Sequence, residues 1–301
     1  MRIVDVSPRD GLQNESTPIA TEAKLRLVSA LAEAGVPEIE VTSFVSPKWV
    51  PQLGDAAELW PQLPSGPLYS ALVPNQKGLE RATSLGVERI AVFTAASDAF
   101  TQKNINMTVD ASLVAFAEVV QGFRASGKSW VRAYVSTAFE CPYAGLIGPE
   151  RVVEIANRLM DLGCSEVCFG DTIGTASPRE VKALAARLRA DFAGSLDRLA
   201  WHFHDTNGTA VANVATALDA IPESGAIDAS AGGLGGCPYA PGAGGNLATE
   251  DLVYFLEREG LPTGIDLDRL ARATEEVLGL LGRAPMAKAQ VAAVARQRCS
   301  R

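Results

Sequence analysis

Histidine is nearly absent from this sequence: the 301 residues hold two, His202 and His204. Basic charge is also scarce. With 27 Lys and Arg against 35 Asp and Glu, the formal charge is −8, which argues against a nucleic-acid or anionic-membrane partner, since either rewards clustered Lys and Arg. An anionic small molecule needs only a local basic pocket. No apolar run approaches the roughly 20 residues of a membrane span. The chain starts Met1-Arg2-Ile3-Val4-Asp5, with neither an apolar signal core nor an Arg/Ser-rich transit segment. Five cysteines, an odd number without the spacing of a secreted disulfide framework, suit a reducing compartment. The expectation is a soluble, cytoplasmic protein. There is no low-complexity tract and no acidic or basic block.

What is present is alternation. Eight β-rich runs recur: Arg2 to Val6, Glu38 to Thr42, Leu68 to Val73, Arg89 to Phe93, Val131 to Ser136, Glu166 to Phe169, Leu199 to Phe203 and Ala226 to Ser230. Between most of them lie Ala/Leu-rich stretches of helical periodicity, such as Ala20 to Ala34, Ala111 to Ala125, Pro149 to Leu162, Pro178 to Phe192 and Ala210 to Ala220. Thr21 is placed to cap the first helix, Ser177-Pro178 to start another, and Gly35 and Gly163 to end two. Strands alternating with helices imply a parallel sheet. Eight repeats match the roughly 250 residues of a closed (β/α)8 TIM barrel better than a doubly wound sheet, which has fewer strands. Pro61 to Pro67 reads as a compact loop, because patterning resumes on both sides. The reading is a single domain over residues 1–301, with the barrel in about 1–246 and a C-terminal helical extension over 247–301.

Residues able to do chemistry gather at strand ends. His202 and His204 lie two apart at the end of the seventh run, so their imidazoles share one strand face. In a barrel they would face the mouth, where metal ligation competes with a core role. Asp10 follows the first run inside the polar segment Ser7 to Glu15, Glu40 lies on the second, Tyr134 and Ser136 on the fifth, and Asp171 follows the sixth. Any one has a structural reading, such as an Asp capping a turn. Polar groups at one end of five strands are harder to assign that way, because burying them together without partners gains no stability. The Gly-rich segment Gly232 to Asn246 lacks the spacing G-x-G-x-x-G of a dinucleotide fingerprint. Its Cys237 is accessible in a way that Cys164 and Cys168, placed around a strand, are not; Cys299 reads as an exposed thiol.

Arg9-Asp10-Gly11-Leu12-Gln13-Asn14-Glu15, Thr42 to Gln52, Lys103 to Asn106, Gly170 to Gly174, His202 to Thr206 and the Cys237 loop running into Gly245 to Tyr254 together resemble the hydroxymethylglutaryl-CoA lyase family. The resemblance spans nearly the whole chain. It implies a metal-dependent barrel with ligands at Asp10, His202, His204 and Asn246. That oxygen and imidazole set suits Mg²⁺ or Mn²⁺, with Zn²⁺ second. It further implies Arg9, Glu40, Asp171, His202 and Cys237 as catalytic residues, and Arg9, Gln13, Ser43, Tyr134 and Thr172 as substrate contacts. The partner implied is a small-molecule acyl-CoA, and the assembly expected is a homodimer. Lys48, Lys77 and Lys103 could reach CoA phosphates. Asn207 and Thr137 to Glu140 depart from the family pattern near the mouth, which bears on the acyl chain accepted.

The chemistry so implied breaks the C2–C3 bond of a 3-hydroxyacyl thioester. A base takes the C3 hydroxyl proton, and charge develops on the thioester oxygen beside Arg9. The resemblance leaves the base open between His202 and a carboxylate, and places Cys237 to protonate the acetyl-CoA enolate. A lyase for citramalyl-CoA or a longer homologue, a metal-dependent hydrolase, a Claisen-type synthase and a barrel without activity are the competing readings.

Overall fold

In the computed structural model, residues 1–236 and 245–299 are described, with side chains through Gln297. Strand β1 (Arg2–Asp5) pairs in parallel with β2 (Glu38–Ser43) on one side and with β10 (Ala226–Ala229) on the other. That double pairing closes the sheet. Around the ring β2 is followed by β3 (Leu68–Leu72), β4 (Arg89–Ala95), β5 (Trp130–Ser136), β8 (Glu166–Asp171) and β9 (Leu199–Phe203), giving eight parallel strands. All eight expected strands are present. The doubly wound alternative is excluded, since it leaves two open edges. Among the described residues no helix is long and apolar enough to cross a membrane.

Side chains alternate across each strand, so one register faces the helices and the other the barrel interior. Leu199, Trp201 and Phe203 belong to the large outer core with Val152, Ile155 and Leu159 of the helix Pro149–Asp161. The opposite register builds a small interior core of Val4, Val6, Leu72, Ala91, Tyr134, Cys168, Ala200 and Ala226. His202 shares this inward register with Ala200. The two rows bury different chemistry, and the inner one leaves room for polar groups.

Some boundaries differ from expectation. Thr21 is the first helical residue of Thr21–Glu33 and Ala20 holds the cap position; the Thr21 hydroxyl instead meets Asp55 Oδ2 at 2.9 Å. Ser177 does start its helix, donating its N–H to the Glu180 carboxylate at 2.9 Å, the return bond of a capping box. A hairpin of β6 (Glu140–Cys141) and β7 (Gly145–Leu146) stands over the end of β5. Its strands are too short for periodicity to reveal. Of the helices after Leu247, Thr249–Arg258 packs beside Ala210–Ala220, and Leu267–Ala273 packs against both it and Thr21–Glu33; Glu275–Leu280 also lies on Thr21–Glu33, and Lys288–Cys299 on Leu267–Ala273.

Candidate active site

Three loops meet over the C-terminal ends of β1, β9 and β10. After β1 the chain makes a wide helical turn, Ser7–Gly11, in which the Asp10 and Gly11 N–H groups both donate to the Val6 carbonyl, at 2.8 and 3.1 Å. The buried Asp5 carboxylate fastens this turn to the segments that follow the neighbouring strand β10. It accepts from Ser7 N–H (2.9 Å), Ala231 N–H (3.0 Å) and Thr249 Oγ1 (2.7 Å). His204 forms an antiparallel bridge with Asn246 just past β9. That bridge needs glycine beside it: a Cβ on Gly245 would stand 1.8 Å from the Gly233 carbonyl oxygen.

These contacts bring ligating atoms of Asp10, His202 and His204 within 4.8 Å of one another, and the two imidazole centroids lie 5.2 Å apart. Asn246 donates through Nδ2 to Asp10 Oδ2 at 2.9 Å and to the Leu234 carbonyl at 3.1 Å. Its Oδ1 is buried and accepts no hydrogen bond from any described residue. Leaving a buried acceptor unsatisfied is unfavourable, so two imidazoles, a carboxylate and an amide oxygen converging here fit a divalent cation. Burial pushes the Asp10 carboxyl up, but Arg9, His202 and His204 hold it well below the ordinary carboxylate range. Burial lowers the His202 imidazole, and Asp228 and Asp10 more than offset it, raising it above its usual value.

Arg9 is buried beside Asp10 at the mouth of the barrel. Its Nε donates to Glu40 Oε1 and its Nη1 to Asp10 Oδ1 at 2.5 Å. Glu40 is fully buried and also accepts from Tyr134 Oη at 3.0 Å. Burial lowers the guanidinium, but Glu40 and Asp10 push it above its already high value. Burial also holds the Tyr134 phenol protonated and donating. Glu40 and Tyr134 thus aim Arg9, with Nη2 left as its remaining donor edge.

The other expected site residues are placed less directly. Asp171, pushed up to about 6 by burial, spends its oxygens on the Thr175 and Ala176 N–H groups, at 3.1 to 3.3 Å. Ser43 Oγ accepts from Val45 N–H at 3.2 Å and so shapes the exit of β2. Thr172 Oγ1 accepts from Thr137 N–H at 2.7 Å and holds that residue at a φ of 53°. Gln13 lines a cavity of about 410 Å³ between the loops after β1 and β2, with Trp49 and Lys24. Of the lysines, Lys103 lies 4.7 Å from the centroid of the Tyr143 ring, while Lys48 and Lys77 are exposed. Cys164 and Cys168 are buried; Cys237 and the side chain of Cys299 lie outside the described residues. The departures from pattern have local reasons: Asn207 Nδ2 ties the Gly174 carbonyl at 2.8 Å, and Phe139 packs on Phe203.

Two residues that sequence reasoning passed over reach the centre from inside the barrel. Asp228, on β10, places Oδ2 3.1 Å from His202 Nδ1 and Oδ1 2.7 Å from Arg132 Nη2. Burial would raise the Asp228 carboxyl, but Arg132 and His202 keep it below its usual value. Arg132 and Asp228 are charged side chains at inward, buried positions of their strands. A charge at such a position was the available signal.

The model of the family described as HMGL-like matches residues 1–277. A curated relative, the mitochondrial hydroxymethylglutaryl-CoA lyase of Bos taurus, is 46% identical over 285 residues, covering 94% of this chain and 86% of that protein. The crystal structure of hydroxymethylglutaryl-CoA lyase from Pseudomonas aeruginosa is 43% identical with a TM-score of 0.93, covering 98% of this chain and 97% of that one. An HMG-CoA lyase from Acinetobacter baumannii, solved with coenzyme A and 3-methylmalate, is 36% identical with a TM-score of 0.89, covering 96% and 93%. Coverage from end to end at such identity leaves one assignment: the chain belongs to the HMGL-like family, that of the hydroxymethylglutaryl-CoA lyases.

Proposed function

We propose that this chain cleaves 3-hydroxy-3-methylglutaryl-CoA to acetyl-CoA and acetoacetate, with Mg²⁺ or Mn²⁺ held by Asp10, His202, His204 and Asn246. The observation that carries the proposal is the convergence of Arg9 on those four residues at the mouth of the barrel. The names of the relatives at 46% and 43% identity supply the substrate, and the relative solved with coenzyme A supports an acyl-CoA ligand.

Bond cleavage needs two charges managed. The C3 hydroxyl gives its proton to a base, His202 or a neighbouring carboxylate, and becomes the ketone of acetoacetate, while the C2–C3 electron pair moves into the thioester as an enolate. That enolate then takes a proton at C2 to give acetyl-CoA. The cation, when bound, lowers the pKa of a substrate hydroxyl and draws charge from substrate oxygens. Arg9 holds the enolate oxygen through its free edge. Fixed by Glu40 and Asp10, it needs no reorganisation as charge develops, which is what makes such a donor effective. His202 Nδ1 is engaged by Asp228, so only its Nε2 edge faces the reacting groups. Cys237 is the proposed donor to C2.

The test is a product assay with Mg²⁺ or Mn²⁺, offering this thioester, citramalyl-CoA and a longer homologue in parallel. Acetoacetate release preferred over both analogues supports the proposal. Turnover of an analogue alone would change the substrate, and free CoA in place of acetyl-CoA would make the chain a hydrolase.

A further inference from the structure

We infer that Asp228 is a positioning residue: by fixing the proton of His202 on Nδ1 it presents the Nε2 lone pair to the cation. The inference rests on the proposed cation site of Asp10, His202, His204 and Asn246.

An imidazole offers one lone pair when neutral, and which nitrogen carries it is set by the partner of the other. The Asp228 carboxylate is an acceptor, 3.1 Å from Nδ1 of His202, so Nδ1 carries the hydrogen. The Cys168 thiol lies 3.6 Å from the same Oδ2. The second oxygen, Oδ1, is paired with Arg132 at 2.7 Å, which keeps the carboxylate from rotating away. Asp228 and His202 are register partners on neighbouring strands β10 and β9, so backbone pairing sets their spacing.

Arg132 is itself held. Its Nε pairs with Glu166 Oε1 at 3.0 Å, Glu166 Oε2 with Arg2 Nη2 at 2.5 Å, Arg2 Nε with Glu38 Oε2 at 3.0 Å, and Glu38 Oε1 with Arg89 Nη2 at 3.1 Å. Charges alternate from the N-terminal face of the barrel up to the imidazole. A carboxylate used only to neutralise Arg132 would need no such orientation toward His202. The alternative, a purely structural counter-ion, predicts that breaking the ladder anywhere has the same consequence. The positioning role predicts that only the last rung matters for the cation.

The full chain labelled with ¹⁵N-histidine gives two ring patterns, because the sequence has two histidines; loss of one in His204→Gln assigns them. Long-range nitrogen–proton correlation in the alkaline range reads the tautomer directly. The expected result is a proton on Nδ1 of His202 in the parent chain. In Asp228→Asn, Mn²⁺ affinity measured by electron paramagnetic resonance should fall about 10- to 100-fold, while Glu166→Gln, one rung further off, lowers Tm but leaves Mn²⁺ affinity unchanged. A proton on Nε2 of His202 in the parent, or unchanged Mn²⁺ affinity in Asp228→Asn, overturns the inference. If the parent takes up no Mn²⁺, the cation site is what fails. In that case, or if Asp228→Asn does not fold, the tautomer in the parent alone decides whether Asp228 positions the ring.

Discussion

Replacing Arg9 by Gln removes the only cation among the described residues that pairs with Glu40. Glu40 is 0% exposed and would keep one partner, the Tyr134 hydroxyl. Removing one member of a buried ion pair costs about 3–5 kcal/mol, a large share of the ~5–15 kcal/mol that holds a domain. Glu40→Gln should cost less, about 1.5–3 kcal/mol, because Arg9 keeps Asp10. In the double variant the charge that Arg9→Gln strands on Glu40 is gone, so its loss should fall short of the sum of the singles by at least ~1 kcal/mol. Turnover should not recover with stability. Arg9→Gln and the double variant should both lose about 10²–10³ in kcat, as expected for one missing oxyanion donor, with Mn²⁺ content unchanged because all four ligands remain. Urea denaturation and initial rates on the same preparations read both quantities. A fully active Arg9→Gln chain, or a double variant whose stability loss is the plain sum, refutes the reasoning.

Two further outcomes follow from buried groups. Glu250 accepts from the Gly232 N–H, at 2.9 and 3.0 Å, and burial pushes its carboxyl up from 4.5 to about 8. The folded chain holds that proton more tightly than the unfolded one, so this contribution is fullest below 4.5 and declines as pH climbs through about 8. Glu250→Gln should therefore flatten the alkaline fall in Tm, and an identical slope in parent and variant counts against it. Gly245→Ala drives a Cβ to 1.8 Å from the Gly233 carbonyl. Both Tm and Mn²⁺ affinity should drop, since Asn246 moves with its neighbour; a variant unchanged in both contradicts the placement of Asn246.

The fold was legible because each strand carries its own pattern. Period-2 runs separated by helical stretches name eight repeats without any long-range information, and the short hairpin of Glu140–Cys141 with Gly145–Leu146 escapes because two-residue strands have no period. The histidine pair could be read by parity alone. What parity does not say is which carboxylates face inward as holders. The sequence marks Glu40 and Asp171 as polar groups at strand ends; it does not show that Glu40 fastens Arg9 or that Asp171 binds the backbone of its own turn. The destination of a loop carboxylate depends on which N–H groups the turn presents, and that is a three-dimensional fact. Thr21 shows the same at a helix start, where Asp55, distant in sequence, claims its hydroxyl. Arg132 and Asp228 were within reach of the sequence: each interrupts the inward row of a buried strand with a charge, and such a charge must have a partner.

The central claim is that cation and Arg9 together cleave a carbon–carbon bond. The most direct measurement follows acetyl-CoA, acetoacetate and free CoA in one sample of chelator-treated protein as Mn²⁺ is titrated in with 3-hydroxy-3-methylglutaryl-CoA. The account predicts acetyl-CoA and acetoacetate in equal amounts, rising with Mn²⁺ until the Asp10, His202, His204 and Asn246 site is filled, and no free CoA. Product formation indifferent to Mn²⁺, or free CoA in place of acetyl-CoA, would contradict it.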